Sequence, residues 1–350
     1  MTPPTYRGYR GYREGVGSQA RPRAASSLVH QVISSLSERD RLVVRLLDRH
    51  RVLTTHQVAE AAFPSIRRTE TRMGQLHAMR VVDRFRPFRA TGSAPYHWVL
   101  DHMGACIAAW ERGVDVGQLG WRREHAVNVA ASGTLPHLLG VNGFFTALMR
   151  AARQRPGCEL GGWLSAAEAE AEFHRRYGQG YRPDGSGEWA EAGVWLPFWL
   201  EYVVPSARKA QPLRDRLAAY ERAARHESAP RLVLIAFEDR ARESEARRGL
   251  ETWLPAATAV ILPHPTQSPA DPLWLPLRPG ADRRRRLIEL SAPQVWRRQA
   301  AVDEDRLDCG SAAGGRRERH WGSAGDDAPW ESTNNVAADD PQDRGDDPWR

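Results

Sequence analysis

Lysine is almost missing from this chain of 350 residues: Lys209 is the single lysine among 50 basic side chains, so the positive charge is carried by arginine. Genome composition explains such a bias as well as anion recognition does. Cysteine is scarce as well. Cys106, Cys158 and Cys309 are odd in number and far apart. They provide no disulfide framework and no zinc-ligand spacing, which suits a reducing, cytoplasmic compartment. No apolar run approaches the roughly 18 residues of a membrane-spanning helix, so no membrane partner is expected. The opening Met1-Thr-Pro-Pro-Thr-Tyr-Arg lacks an apolar core, so a secretory signal is not expected. Walker A, dinucleotide-binding and Gly-x-Ser-x-Gly patterns are all lacking, which argues against a small-molecule cofactor and against a serine hydrolase. His125 and His137 stand too far apart for a helical zinc pair and read as polar positions within helices.

What is present is uneven charge. The segment from Asp303 to Arg350 holds 13 acids against six arginines, a net of −7, which leaves +14 for the rest of a chain whose total is +7. A basic body with an acidic tail suits a polyanionic partner. Hydrophobic residues make up 41% of the chain, enough for two domains and a tail.

Periodicity divides the chain further. Residues 1–35, with Tyr-Arg-Gly repeated near the start, read as a disordered basic arm. Ser37 precedes Glu38-Arg39-Asp40 and can cap a helix carrying Leu42, Val43, Leu46 and Leu47. Thr54 or Thr55 starts a second, short helix, and Ser65 starts a third that turns Met73, Leu76 and Met79 inward. Two alternating runs, Val81–Phe88 and Tyr96–Leu100, flank a Gly-Ser turn and predict a hairpin. A helix from His102 to Arg112 closes this part.

Three short helices and a hairpin are the order of a winged helix-turn-helix, expected over 36–115, with double-stranded DNA as the partner. The third helix would enter the major groove. Its Arg67, Arg68, Thr71, Arg72 and Gln75 fall on the outer face, where arginine forks suit guanine and Gln75 suits adenine. Arg84, Arg86 and Arg89 on the hairpin suit phosphates.

From 120 to 290, strands alternate with helices, predicting an α/β domain. The expected strands are Cys158–Leu164, Val194–Val204, Arg231–Phe237 and Ala256–Leu262; the expected helices are Pro212–Ala224 and Arg240–Trp253, with a last short one over Arg283–Leu290. The fold class is thus α+β to α/β. Residues 291–350 are polar and read as a disordered acidic tail.

A series of short motifs carries a resemblance. Leu53-Thr-Thr-His-Gln-Val-Ala, Val82-Asp-Arg-Phe-Arg-Pro, Ser93-Ala-Pro-Tyr-His-Trp-Val-Leu, His137-Leu-Leu-Gly-Val-Asn-Gly-Phe-Phe, Arg182-Pro-Asp-Gly and Leu200-Glu-Tyr occur in this order. Together they resemble the actinobacterial replication-relaxation family, associated with plasmids and other mobile elements. The resemblance spans about Leu36 to Leu290 and implies a DNA-binding protein with an N-terminal winged helix.

Pro183-Asp184, followed by Glu201 on a later strand, resembles the PD-(D/E)XK nuclease pattern. There two carboxylates would hold Mg²⁺ and a lysine would stabilise developing charge. This chain departs from it. Val203 stands where that pattern has lysine and where the replication-relaxation pattern has aspartate, and only Lys209 or Arg216 could supply the cation. The expectation is therefore a nuclease-like domain without catalysis and without a cofactor, with an α/β domain unrelated to that fold left open. The domain would serve for dimerisation, partner docking or further DNA contact. A Mg²⁺-dependent nuclease using Asp184, Glu201 and Lys209 is the alternative, and a protein-binding adaptor the second alternative.

Overall fold

The computed structural model describes residues 26–87, 92–122, 124–204, 212–262 and 267–296. The N-terminal part holds α1 (Ser26–Ser35), α2 (Glu38–His50), β1 (Leu53–Thr54), α3 (Thr55–Ala62), α4 (Ile66–Ala78), β2 (Val82–Phe85), β3 (His97–Leu100) and α5 (His102–Glu111). Local chemistry fixes the helix starts. Ser37 and Asp40 form a capping box on α2; Thr54 and Gln57 form one on α3; the Ser65 hydroxyl accepts the Arg68 N–H at the start of α4.

Two features differ from the expectation. Residues 26–35, expected as part of a disordered arm, form α1, because Val29, Val32 and Ile33 pack on the core. The expected two-stranded hairpin is a three-stranded antiparallel sheet of order β1-β3-β2, in which Leu53 pairs with Trp98. A two-residue strand is too short to leave an alternation in the sequence.

The second part begins with α6 (His125–Ala131) and α7 (Leu135–Gln154). It continues through β4 (Cys158–Leu164), α8 (Ala166–Tyr177), β5 (Gly185–Glu191), β6 (Val194–Val203), α9 (Leu213–Ala223), β7 (Leu232–Phe237), α10 (Arg240–Gly249), β8 (Ala256–Val260) and β9 (Leu275–Pro276). The result is a mixed six-stranded sheet in the order β4-β5-β6-β7-β8-β9. Strands β4, β5 and β6 are antiparallel, β6, β7 and β8 are parallel, and β9 returns antiparallel. Every residue of β7, Leu-Val-Leu-Ile-Ala-Phe, is buried, as a central parallel strand covered on both faces requires.

Alternation assigns those faces. Phe198, Leu200 and Tyr202 of β6 join Phe144, Phe145 and Leu148 of α7 in one core. Trp199 joins Phe173 of α8 and Leu217 and Tyr220 of α9 in another. Helix α8 lay unread in the sequence, although Ser165-Ala-Ala-Glu168 is a capping box ahead of an Ala/Glu run. The expected short helix over Arg283–Leu290 is replaced by a bridge between Trp274 and Arg285 and a 3₁₀ turn at Ile288–Ser291.

Helix α7 also joins the two parts. Asn142 Nδ2 donates to the carbonyls of His50 and Val52, at 3.2 and 2.7 Å. Gln57 Nε2 donates to Leu139 O at 2.7 Å, and the Arg153 guanidinium caps carbonyls of Ala59, Glu60 and Phe63 at the end of α3. His50 stacks on Trp163 with centroids 3.6 Å apart, and burial holds its pKa well below the usual value. These contacts bury the inner side of α3 and leave the outer side of α4 open. No helix among the described residues is long and apolar enough to cross a membrane.

Candidate nucleic-acid interface and an acidic node

Helix α4 has one buried face, Thr69, Met73 and Leu76, at helical spacing. The opposite face carries Arg67, Arg68, Thr71 and Gln75, all exposed, which with Ser65 and Arg72 line a shallow depression. Among the described residues neither Arg67 nor Arg68 makes an ion pair, so two guanidinium forks are presented to solvent. The Thr71 hydroxyl donates back to Arg67 O at 3.0 Å.

Arg72 differs from the other two. Its Nε and Nη2 close a fork on the Asp40 carboxylate at 2.8 and 2.7 Å, and Asp40 is fully buried. Burial alone would raise the Asp40 pKa. The hydrogen bonds from Arg72 and Ser37 outweigh it and hold the carboxyl below its ordinary value. The third nitrogen, Nη1, donates to Gln75 Oε1 at 2.8 Å. Adenine recognition needs that oxygen as an acceptor. Arg72 and Gln75, both expected among the base contacts, are thus tied into the helix-packing network, and the free forks are Arg67 and Arg68.

On the hairpin, Arg84 and Arg86 are exposed and project on one face two residues apart. Their guanidinium carbons lie 4.1 and 3.8 Å from the centroid of the Tyr96 ring. Cation–π contact restrains both side chains without neutralising them. Arg89, expected beside them, lies outside the described residues, as does Lys209.

The second candidate site lies at the carboxyl end of β6, where parallel sheets commonly place ligands. Asp184, just ahead of β5, and Glu201, on β6, lie on either side of one guanidinium. Between them reaches Arg216 from α9. Its Nη1 is 2.6 Å from Glu201 Oε2 and 3.5 Å from Asp184 Oδ2. Glu201 Oε1 accepts the hydroxyls of Tyr181 and Tyr220 at 2.8 and 2.7 Å. Asp184 Oδ2 accepts the Tyr202 N–H at 2.8 Å and faces His137 Nε2, on the first turns of α7, at 3.1 Å.

Electrostatics follow from burial. Glu201 is 1% exposed, and desolvation, reinforced by the Asp184 charge and opposed by Arg216 and the tyrosines, pushes its pKa up to about 7. Burial disfavours protonated His137, yet the hydrogen bond and charge of Asp184 outweigh it and raise its pKa. Burial beside Glu201 drives the Tyr181 and Tyr220 hydroxyls far up, so both remain donors.

This donor set does not fit Mg²⁺ as arranged. The cation position between the carboxylates is taken by Arg216, Glu201 already accepts three bonds, and the described residues contain no group of three or more His, Cys, Asp or Glu side chains able to hold a metal. No step through a metal follows from it. Sequence reasoning named Arg216 as a source of charge, took His137 only for a polar helix position, and missed Tyr181 and Tyr220. Arg182-Pro-Asp-Gly does place Tyr181 beside Asp184 in the chain, a signal within reach. His137 and Tyr220 come from helices whose approach to β6 only the fold reveals.

No curated protein and no solved structure matches this chain. The model of the replication-relaxation family matches residues 44–202. That stretch takes in α4, the hairpin and both acids of the node, and over it the chain is similar to the replication-relaxation family.

Proposed function

We propose that this protein binds double-stranded DNA through a winged helix-turn-helix formed by α2, α3, α4 and the β1-β3-β2 sheet. Helix α4 lies in the major groove and the β2–β3 hairpin acts as the wing along the backbone. The observation that carries this reading is the pair of unpaired, exposed guanidinium forks, Arg67 and Arg68, on the open side of a helix whose other face is core. Arg84 and Arg86, held against Tyr96, add fixed positive charge on the hairpin for phosphates. Similarity over residues 44–202 to a family described as replication-relaxation agrees with a DNA partner. The free thiols Cys106 and Cys158 suit a cytoplasmic setting.

The sheet part serves in this reading as a nuclease-like scaffold that does not cleave, offering dimerisation, partner docking or further DNA contact. Convergence of Asp184 and Glu201 favours the competing reading, a Mg²⁺-dependent nuclease of mobile elements; the Arg216 bridge weighs against it.

Titration of the full chain with fluorescent duplex DNA tests the main reading. Affinity should fall steeply with salt, because each neutralised phosphate releases counterions. Salt-independent binding, or none at low salt, would instead favour an adaptor that binds protein. Incubation with supercoiled plasmid and Mg²⁺, beside Asp184→Ala, should leave the plasmid intact in both samples.

A further inference from the structure

Arg216 does what a divalent cation does between two carboxylates. A single nitrogen, Nη1, reaches both Glu201 Oε2 and Asp184 Oδ2. The side chain is held there. It is only 17% exposed, and it leaves α9 next to Leu217, one turn before Tyr220, both of which are in the core beneath the helix. The Asp184 carboxylate faces both that guanidinium and the His137 imidazole, so side chains from two helices meet it. Val203, the residue two past Glu201, packs among the apolar side chains beneath α9 and brings no polar group to the site.

We propose that the Arg216 guanidinium is an internal replacement for a divalent cation, closing the Asp184–Glu201 pair to Mg²⁺ and Mn²⁺ in the folded protein. For a metal to enter, Arg216 would have to leave a half-enclosed site where it stabilises two acids. Glu201 would in addition have to give up hydroxyl bonds from Tyr181 and Tyr220 or share their oxygen. The sheet end is therefore a finished ion cluster and works without metal. The inference is independent of the DNA reading of α4, since neither site's residues contribute to the other.

Mn²⁺ titration of the full-length protein, followed by the paramagnetic resonance of the free ion, tests it. The wild type and Asp184→Asn should leave the same free Mn²⁺ signal. Arg216→Met keeps the length of the side chain and removes its charge. That variant should bind Mn²⁺, and the ion should raise its melting temperature or restore its fold. The double variant Arg216→Met/Asp184→Asn should lose the response. Guanidinium ion at low concentration should partly replace Mn²⁺ in stabilising Arg216→Met. Mn²⁺ binding by the wild type that disappears in Asp184→Asn would overturn the proposal, whatever the behaviour of the other variants. So would an Arg216→Met protein that is folded by circular dichroism yet blind to Mn²⁺.

Discussion

Arg72 on α4 grips the fully buried carboxylate of Asp40 through two nitrogens, and Asp40 is also the residue that closes the capping box of α2. One carboxylate therefore starts one helix and fixes the roll of another. Arg72→Ala should destabilise the protein by about 3 kcal/mol, because it strands a buried charge. Denaturant unfolding followed by circular dichroism measures this, and an Arg72→Ala midpoint equal to wild type would refute it. The depressed Asp40 pKa sets the pH sign. The stability it contributes is present above its unfolded value, 3.8, and is lost as pH falls through the lower folded value.

Arg67→Ala and Arg68→Ala should behave in the opposite way. Both side chains are exposed and unpaired among the described residues, so stability should stay within about 0.5 kcal/mol of wild type. Each substitution should weaken binding to a preferred duplex by about 1–3 kcal/mol and relax discrimination at one base pair. Arg84→Ala and Arg86→Ala should weaken binding to all duplexes alike and lower the salt slope by about one each. Anisotropy titrations over a salt series, with a preferred and a scrambled duplex, separate the two classes. An identical loss on both duplexes for Arg68→Ala would move that residue to the phosphate class.

Much of this architecture was legible in the chain because local rules wrote it there. Ser37, Thr54 and Ser65 mark helix starts through hydrogen bonds that span only three residues. The uniform apolar run of β7 signals a central strand. Asp184 and Glu201 could be considered together in advance through the nuclease-like pattern, and the structure sets Asp184, just ahead of β5, beside Glu201 because β5 and β6 are neighbours in sequence and in space. The engagement of Arg72 was not legible, since Asp40 lies 32 residues away, on another helix. Helical spacing tells that Arg72 lies near the edge of the exposed face, but not that a buried acid waits beneath it. His137 failed for the same reason: its partner is fixed by the packing of α7 on the sheet.

Gly140 tests that packing. It lies one turn along α7 from His137, and a Cβ at this position would collide with ring carbons of Tyr202. Tyr202 is itself pinned by its hydroxyl bond to Ile261 O at 2.9 Å, so it has little room to retreat. Gly140→Ala should therefore destabilise by about 1–3 kcal/mol, despite the better helix propensity of alanine. Lifting α7 also draws His137 from Asp184. The imidazole pKa, followed by NMR, should fall toward its ordinary value in this variant. An unchanged His137 titration would show that α7 accommodates the methyl without moving.

The node should make stability fall as pH rises through neutrality. Glu201 has its folded pKa pushed up to about 7 from an ordinary 4.5. Between those values the folded state holds more protons than the unfolded state, so each step upward in pH costs stability, and the cost levels off above about 7. His137 acts with the same sign. Its folded pKa is raised, so its contribution is complete below the ordinary 6.5 and is lost as pH climbs through the folded value. Glu201 and His137 share contact with the Asp184 and Arg216 pair, so their two limbs should overlap in one broad decline. Glu201→Gln keeps an acceptor for both tyrosines but carries no proton to lose. In that variant the decline below pH 7 should flatten, leaving the shallower His137 limb; His137→Ala should remove the other. Melting temperatures from pH 5 to 8.5 measure both. A Glu201→Gln profile parallel to wild type would place the titrating groups outside the node.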